Sequence, residues 1–78
     1  MPKLRVISGK KLASQFEKLN FVIVSQRGSH IKMHRSLGVL QTLVIPNHKS
    51  ISKGTLKEIY NQASAYFSQA ELKKIFYS

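Results

Sequence analysis

The sequence has no cysteine, which removes disulfide staples, thiolate zinc sites and a cysteine nucleophile together. A chain of 78 residues must then be held by its packing alone. Acid is nearly absent as well: there is no aspartate, and the only carboxylate side chains are Glu17, Glu58 and Glu71. A Ser-His-Asp triad is therefore excluded, and no glutamate stands near a Ser-His pair to replace the aspartate. A carboxylate pair of the glycosidase kind would have to be assembled from three glutamates well separated in sequence. No apolar run approaches the ~20 residues of a membrane span, and the N-terminus has charges where a secretion signal needs an apolar stretch. These absences point to the cytoplasm and to no membrane partner.

What the sequence has in excess is positive charge. Thirteen lysines and arginines against three acids leave a formal net charge of +10. Such a field reaches over roughly a Debye length, ~8 Å at physiological salt, and attracts polyanions. On charge alone, nucleic acid, an anionic membrane surface and an acidic protein all fit, and charge does not choose among them. With 42% hydrophobic residues, three Tyr and four Phe, the composition is globular, and the length suits one domain over residues 1–78.

The apolar periodicity gives an α+β order. Leu12, Phe16 and Leu19 fall on one helical face behind a Ser8 cap, with Lys11 and Lys18 opposite and Asn20 as the stop. Residues 21–24, Phe-Val-Ile-Val, read as a strand ending at a turn around Gln26, Arg27 and Gly28. From 30 to 35 the chain alternates: His30, Lys32 and His34 share one face, Ile31 and Met33 the other. After Leu37 and Gly38, residues 39–45 form a third strand stopped by Pro46. Leu56, Ile59, Tyr60 and Ala63 mark a second helix capped at or near Ser52. The capping box from Ser68 to Glu71 opens a third that carries Leu72, Ile75 and Phe76. The expected architecture is a three-stranded antiparallel meander with helices on the Ile31 and Met33 face.

Three histidines are the main candidates for proton transfer near neutral pH. A metal site built from His30, His34 and His48 lacks any Asp or Cys and would sit in a field that repels divalent cations, so no metal or other cofactor is expected. What remains is cleavage of a phosphodiester by the substrate's own ribose 2′-hydroxyl, which needs a proton acceptor, a proton donor and cations. Only RNA supplies that nucleophile. His30 takes the catalytic acid/base role, with Gly28 admitting close backbone approach and Ser29 as a hydrogen-bonding neighbour. Arg27, Lys32 and Lys49 steady the phosphate. His34 reads as a surface or packing residue. His48 fits loop hydrogen bonding and phosphate contact equally. Lys53 either opens a helix or holds a phosphate at its N-terminus, and Lys73 and Lys74 read as a solvated face. A non-catalytic RNA-binding module, or a basic face that docks an acidic protein, accounts for the same charge.

Ser8-Gly9-Lys10, Gly28-Ser29-His30, Pro46-Asn47-His48 and Lys53-Gly54-Thr55-Leu56 with Ile59 resemble, in order and spacing, the HicA (YcfA-like) toxins. The resemblance implies a double-stranded-RNA-binding-domain-like fold and an mRNA interferase activity. It places the family's catalytic histidine at His30. Lys10, His48 and Lys53 are counted with Arg27, Lys32 and Lys49 as the expected RNA-binding residues. The implied partners are mRNA and a HicB-like antitoxin that masks the site in a hetero-oligomer, the isolated toxin being a monomer.

Overall fold

The computed structural model describes residues 3–77. Along the chain lie α1 (Gly9–Glu17), β1 (Val22–Arg27), β2 (His30–Leu37), β3 (Val39–Pro46), α2 (Lys53–Ala63) and α3 (Gln69–Phe76). This is the expected α-β-β-β-α-α order of an α+β fold, with an open antiparallel sheet in the order β1-β2-β3.

Each helix starts where a serine can satisfy a free N–H. The Ser8 hydroxyl accepts from the Lys11 N–H at 3.1 Å and that of Ser52 from the Thr55 N–H at 3.3 Å. At α3 the box closes on both sides: Ser68 Oγ accepts from the Glu71 N–H at 3.2 Å, and Glu71 Oε1 accepts from the Ser68 N–H at 3.0 Å. Caps of this kind stabilise a helix by about 1 kcal/mol each.

The end of α1 corrects one expected boundary. Asn20 adopts φ 74, the Asn20 N–H donates to the Glu17 carbonyl and the Phe21 N–H to that of Phe16, both at 3.1 Å. This is a Schellman ending, and its apolar contact is the edge-to-face pair Phe16 and Phe21, with ring centroids 5.8 Å apart. Phe21 is therefore spent on closing the helix and is buried, while the strand begins at Val22 and runs on to Arg27. A bulge between Ile23 and Ser25 takes up the extra residue.

One face of the sheet is the floor of the core. Ile31 pairs with Ile45 and Met33 with Leu43, and all four are at most 2% exposed. Leu12 and Phe16 of α1, Leu56 and Ile59 of α2, and Leu72, Ile75 and Phe76 of α3 join them in one core. Arg35 lies on this same face at the sheet's far end. Its Nε–H donates to Gln41 Oε1 at 2.6 Å and an Nη1–H to the Leu19 carbonyl at 3.0 Å, while the guanidinium stacks 4.5 Å from the Phe67 ring centroid and 4.9 Å from that of Phe21. Tyr66 blunts the open edge of β3: its hydroxyl accepts from the Thr42 N–H at 3.2 Å and donates to the Thr42 carbonyl at 3.4 Å.

Candidate functional site

The opposite sheet face is uncovered, and its basic end is set by the β1–β2 turn. Arg27 pairs with His30 across a two-residue connection, Gly28-Ser29. Gly28 has φ +54 and Ser29 does not share the positive φ, the pattern of a type II′ turn, which matches the twist of the strands and calls for glycine at its first central position. Among the described residues, nothing beyond its two chain neighbours comes within 4 Å of where a Gly28 Cβ would stand, so the turn conformation, not packing, requires this glycine. His30 is thus the first residue of β2, exposed and facing away from the core, with Arg27 exposed beside it and Lys32 exposed two residues on along the same face.

A second group is held against this turn by backbone contacts. His30 pairs with Pro46, the last residue of β3. The next residue, Asn47, donates its N–H to the Ser29 carbonyl at 2.6 Å, and the His48 carbonyl accepts the Gly9 N–H at 2.9 Å. Gly9 is where the close approach in this protein lies. A Cβ there would stand 1.9 Å from the Pro46 carbonyl oxygen and 2.9 Å from Asn47 Cα, so any side chain would push the β3–α2 loop off the start of α1. The result is an open cleft lined by Ser8, Lys10, Asn47, His48 and Lys49.

The electrostatics of this end are of one sign. Lys10, Lys49, Arg27 and Lys32 surround it, and the N-terminus of α1 adds its partial positive charge. The glutamates lie elsewhere: Glu17 ends α1, Glu58 is within α2, and Glu71 is tied into the α3 cap. The Glu71 carboxyl is held below its ordinary value by the hydrogen bonds from the Ser68 backbone and hydroxyl. Among the described residues no three His or Glu side chains gather as a metal site, and no helix is long and apolar enough to cross a membrane. The arrangement offers exposed imidazoles among cations. It is suited to holding a polyanion and moving protons beside it.

Most of the residues singled out in the sequence fall into two sets. Arg27, Gly28, Ser29, His30 and Lys32 lie at one end of the open face. Lys10, His48 and Lys49 lie in the adjoining cleft, and the Ser29 to Asn47 hydrogen bond joins the two sets. Lys53 is in neither. It lines a separate groove with Lys3, Leu4, Val6, Lys57 and Tyr77, beside the bridge that ties Leu4 to Tyr77. His34 shares the face of His30 but sits four residues along β2, about 13 Å away at strand spacing, half-buried between Val22 and Thr42. The requirement for glycine at position 9 was not visible in the sequence, since a helix start tolerates most side chains and the obstruction comes from a segment almost forty residues later.

The chain matches the model of the family described as HicA toxin of bacterial toxin-antitoxin over residues 9–65. That span opens at the first residue of α1, crosses the whole sheet and ends just past α2, so both sets of site residues fall within it. No curated protein and no solved structure matches the chain.

Proposed function

The chain belongs to the HicA toxin family of bacterial toxin-antitoxin systems, and from that premise we propose that it is a metal-independent endoribonuclease acting on mRNA, with His30 as its catalytic acid or base. The observation that carries the reading is the placement of His30. It is an exposed imidazole at the first position of a strand, fixed by a turn with a required glycine, with Arg27 across from it and Lys32 on the same face. The nucleophile is the substrate's 2′-hydroxyl, so the protein has only to move protons and to stabilise the charge that builds on the phosphate. Arg27 and Lys32 serve the scissile phosphate. Lys10, His48 and Lys49 in the cleft hold the RNA backbone next to it, and Lys53, on its separate groove with Lys3 and Lys57, offers a second basic contact for a longer RNA.

Membership in a toxin-antitoxin family implies an antitoxin partner. In this reading it is a HicB-like protein in a cytoplasmic hetero-oligomer. Its acidic groups compete with RNA for the basic end of the sheet, since a field of +10 attracts either.

Incubation of the purified chain with single-stranded RNA in EDTA tests the reading. Fragments that appear with the wild type and disappear with His30→Ala, the variant remaining folded by circular dichroism, support it. Intact RNA that is bound in a salt-dependent way identifies a non-catalytic RNA-binding module instead.

A further inference from the structure

Transesterification by a ribose 2′-hydroxyl moves two protons. The 2′-oxygen bonds to phosphorus while the bond from phosphorus to O5′ breaks, leaving a 2′,3′-cyclic phosphate and a 5′-hydroxyl. The proton of the 2′-hydroxyl goes to a base, and a second proton must reach the departing O5′ from an acid. One histidine accounts for one of these transfers. Resting on the endoribonuclease reading above, we propose that His48 is the second proton-transfer group and that it divides the two roles with His30.

The geometry narrows the choice. Pro46 is paired directly with His30, and His48 follows only two residues later. Its loop is pinned on both sides, by the Asn47 N–H on the Ser29 carbonyl at 2.6 Å and by its own carbonyl on the Gly9 N–H at 2.9 Å. The absence of room at Gly9 shows how tightly this loop lies on the start of α1. The His48 side chain stays exposed in the cleft, so its position is fixed by backbone contacts while its imidazole remains available.

Other titratable groups are placed elsewhere or are of the wrong kind. His34 lies about 13 Å along β2 from His30. The Tyr66 hydroxyl is engaged with Thr42, and Tyr60 stacks edge-on with Phe76 and Tyr77. Glu17, Glu58 and Glu71 belong to the helices. The charged groups that face His48 are Lys10 from α1 and Lys49 from its own loop, with Arg27 and Lys32 on the adjoining sheet end. Lysine and arginine supply fixed charge there, whereas an imidazole is the side chain suited to exchanging a proton near neutral pH.

The test uses the intact chain and an RNA oligonucleotide whose cleavage site has been mapped with the wild type. A second oligonucleotide carries sulfur in place of O5′ at that site, a leaving group that departs without protonation. His48→Ala is expected to lower kcat on the order of 100-fold, the range of a lost general acid or base, with loss of one limb of the pH profile and only a smaller rise in KM from its lost contact with the RNA backbone. Of His30→Ala and His48→Ala, one and only one should regain a near-wild-type rate on the sulfur substrate, namely the variant that lost the acid. An unchanged kcat in His48→Ala, a change confined to KM, recovery of kcat in His48→Lys, or failure of both variants to respond to sulfur would overturn the proposal. If the wild type cleaves neither substrate, the endoribonuclease reading fails and this inference with it. If the wild type cleaves and His30→Ala alone is inactive, only the inference falls.

Discussion

The open face of the sheet has two ends that share strands and differ in almost everything else. One carries Arg27, His30 and Lys32 and adjoins the Lys10, His48 and Lys49 cleft. At the other, Val22, Ser36, Leu40 and Thr42 beside His34 include no charged side chain, and Val22 and Leu40 are 57% and 62% exposed. β2 runs through both and puts a histidine in each: His30 among cations, His34 half-buried between Val22 and Thr42. A histidine on an alternating strand is therefore uninformative by its type. What separates the two is the second segment folded against one end only, through the Ser29 to Asn47 and Gly9 to His48 contacts.

If that contact makes the basic end, breaking it should cost most. Gly9→Ala puts a methyl group into the Pro46 carbonyl, and we expect a loss of roughly 3 kcal/mol or more, at the upper end of overpacking effects, read by urea unfolding. Gly38→Ala, at φ +80 with open space around it, should cost about 1 kcal/mol and leave the basic end intact. Equal losses for the two would remove the special status of the α1 contact.

The next effect is on binding. Arg27→Ala and Lys32→Ala should each weaken RNA binding across sequences and lower the slope of log affinity against log salt by about one. Leu40→Ser at the other end should leave the RNA affinity and its salt slope unchanged. A salt slope that responds to Leu40 and not to Lys32 would reverse the assignment of the two ends.

The smallest effect lies outside both. The Glu71 carboxyl is lowered from its ordinary 4.5 by the Ser68 hydrogen bonds. Its contribution is thus present above pH 4.5 and lost as pH falls through the lower value it has in the folded chain. Between those limits Glu71→Gln should flatten the acid side of the stability curve slightly, without altering RNA binding at neutral pH.

Much of this was legible because it is local. The serine caps, the Ser68 to Glu71 box, the alternation around Ile31 and Met33 and the turn at Gly28 each depend on residues within a few positions. What escaped depends on distant partners. The length of β1 is decided by its bulged pairing with β2, and Phe21 is withdrawn from the strand by Phe16. Arg35 reads as a polar residue, yet it caps the core because Gln41, Phe67 and the Leu19 carbonyl meet it there. Tyr66 and Phe67, between the last two helices, close the edge of β3 and the end of the core, and no periodic pattern marks them. In the site itself, Lys53 read as either a helix opening or a phosphate contact, and only the fold puts it in a groove apart from that of Lys49.

In the proposed function, location, set by the turn and the cleft, makes His30 and not His34 a proton-transfer residue. Single-turnover cleavage of RNA in EDTA by the wild type, His30→Ala and His34→Ala tests it directly. The rate should fall by a factor on the order of 100 or more in His30→Ala and stay at the wild-type value in His34→Ala. A folded His30→Ala variant that cleaves at the wild-type rate would contradict it.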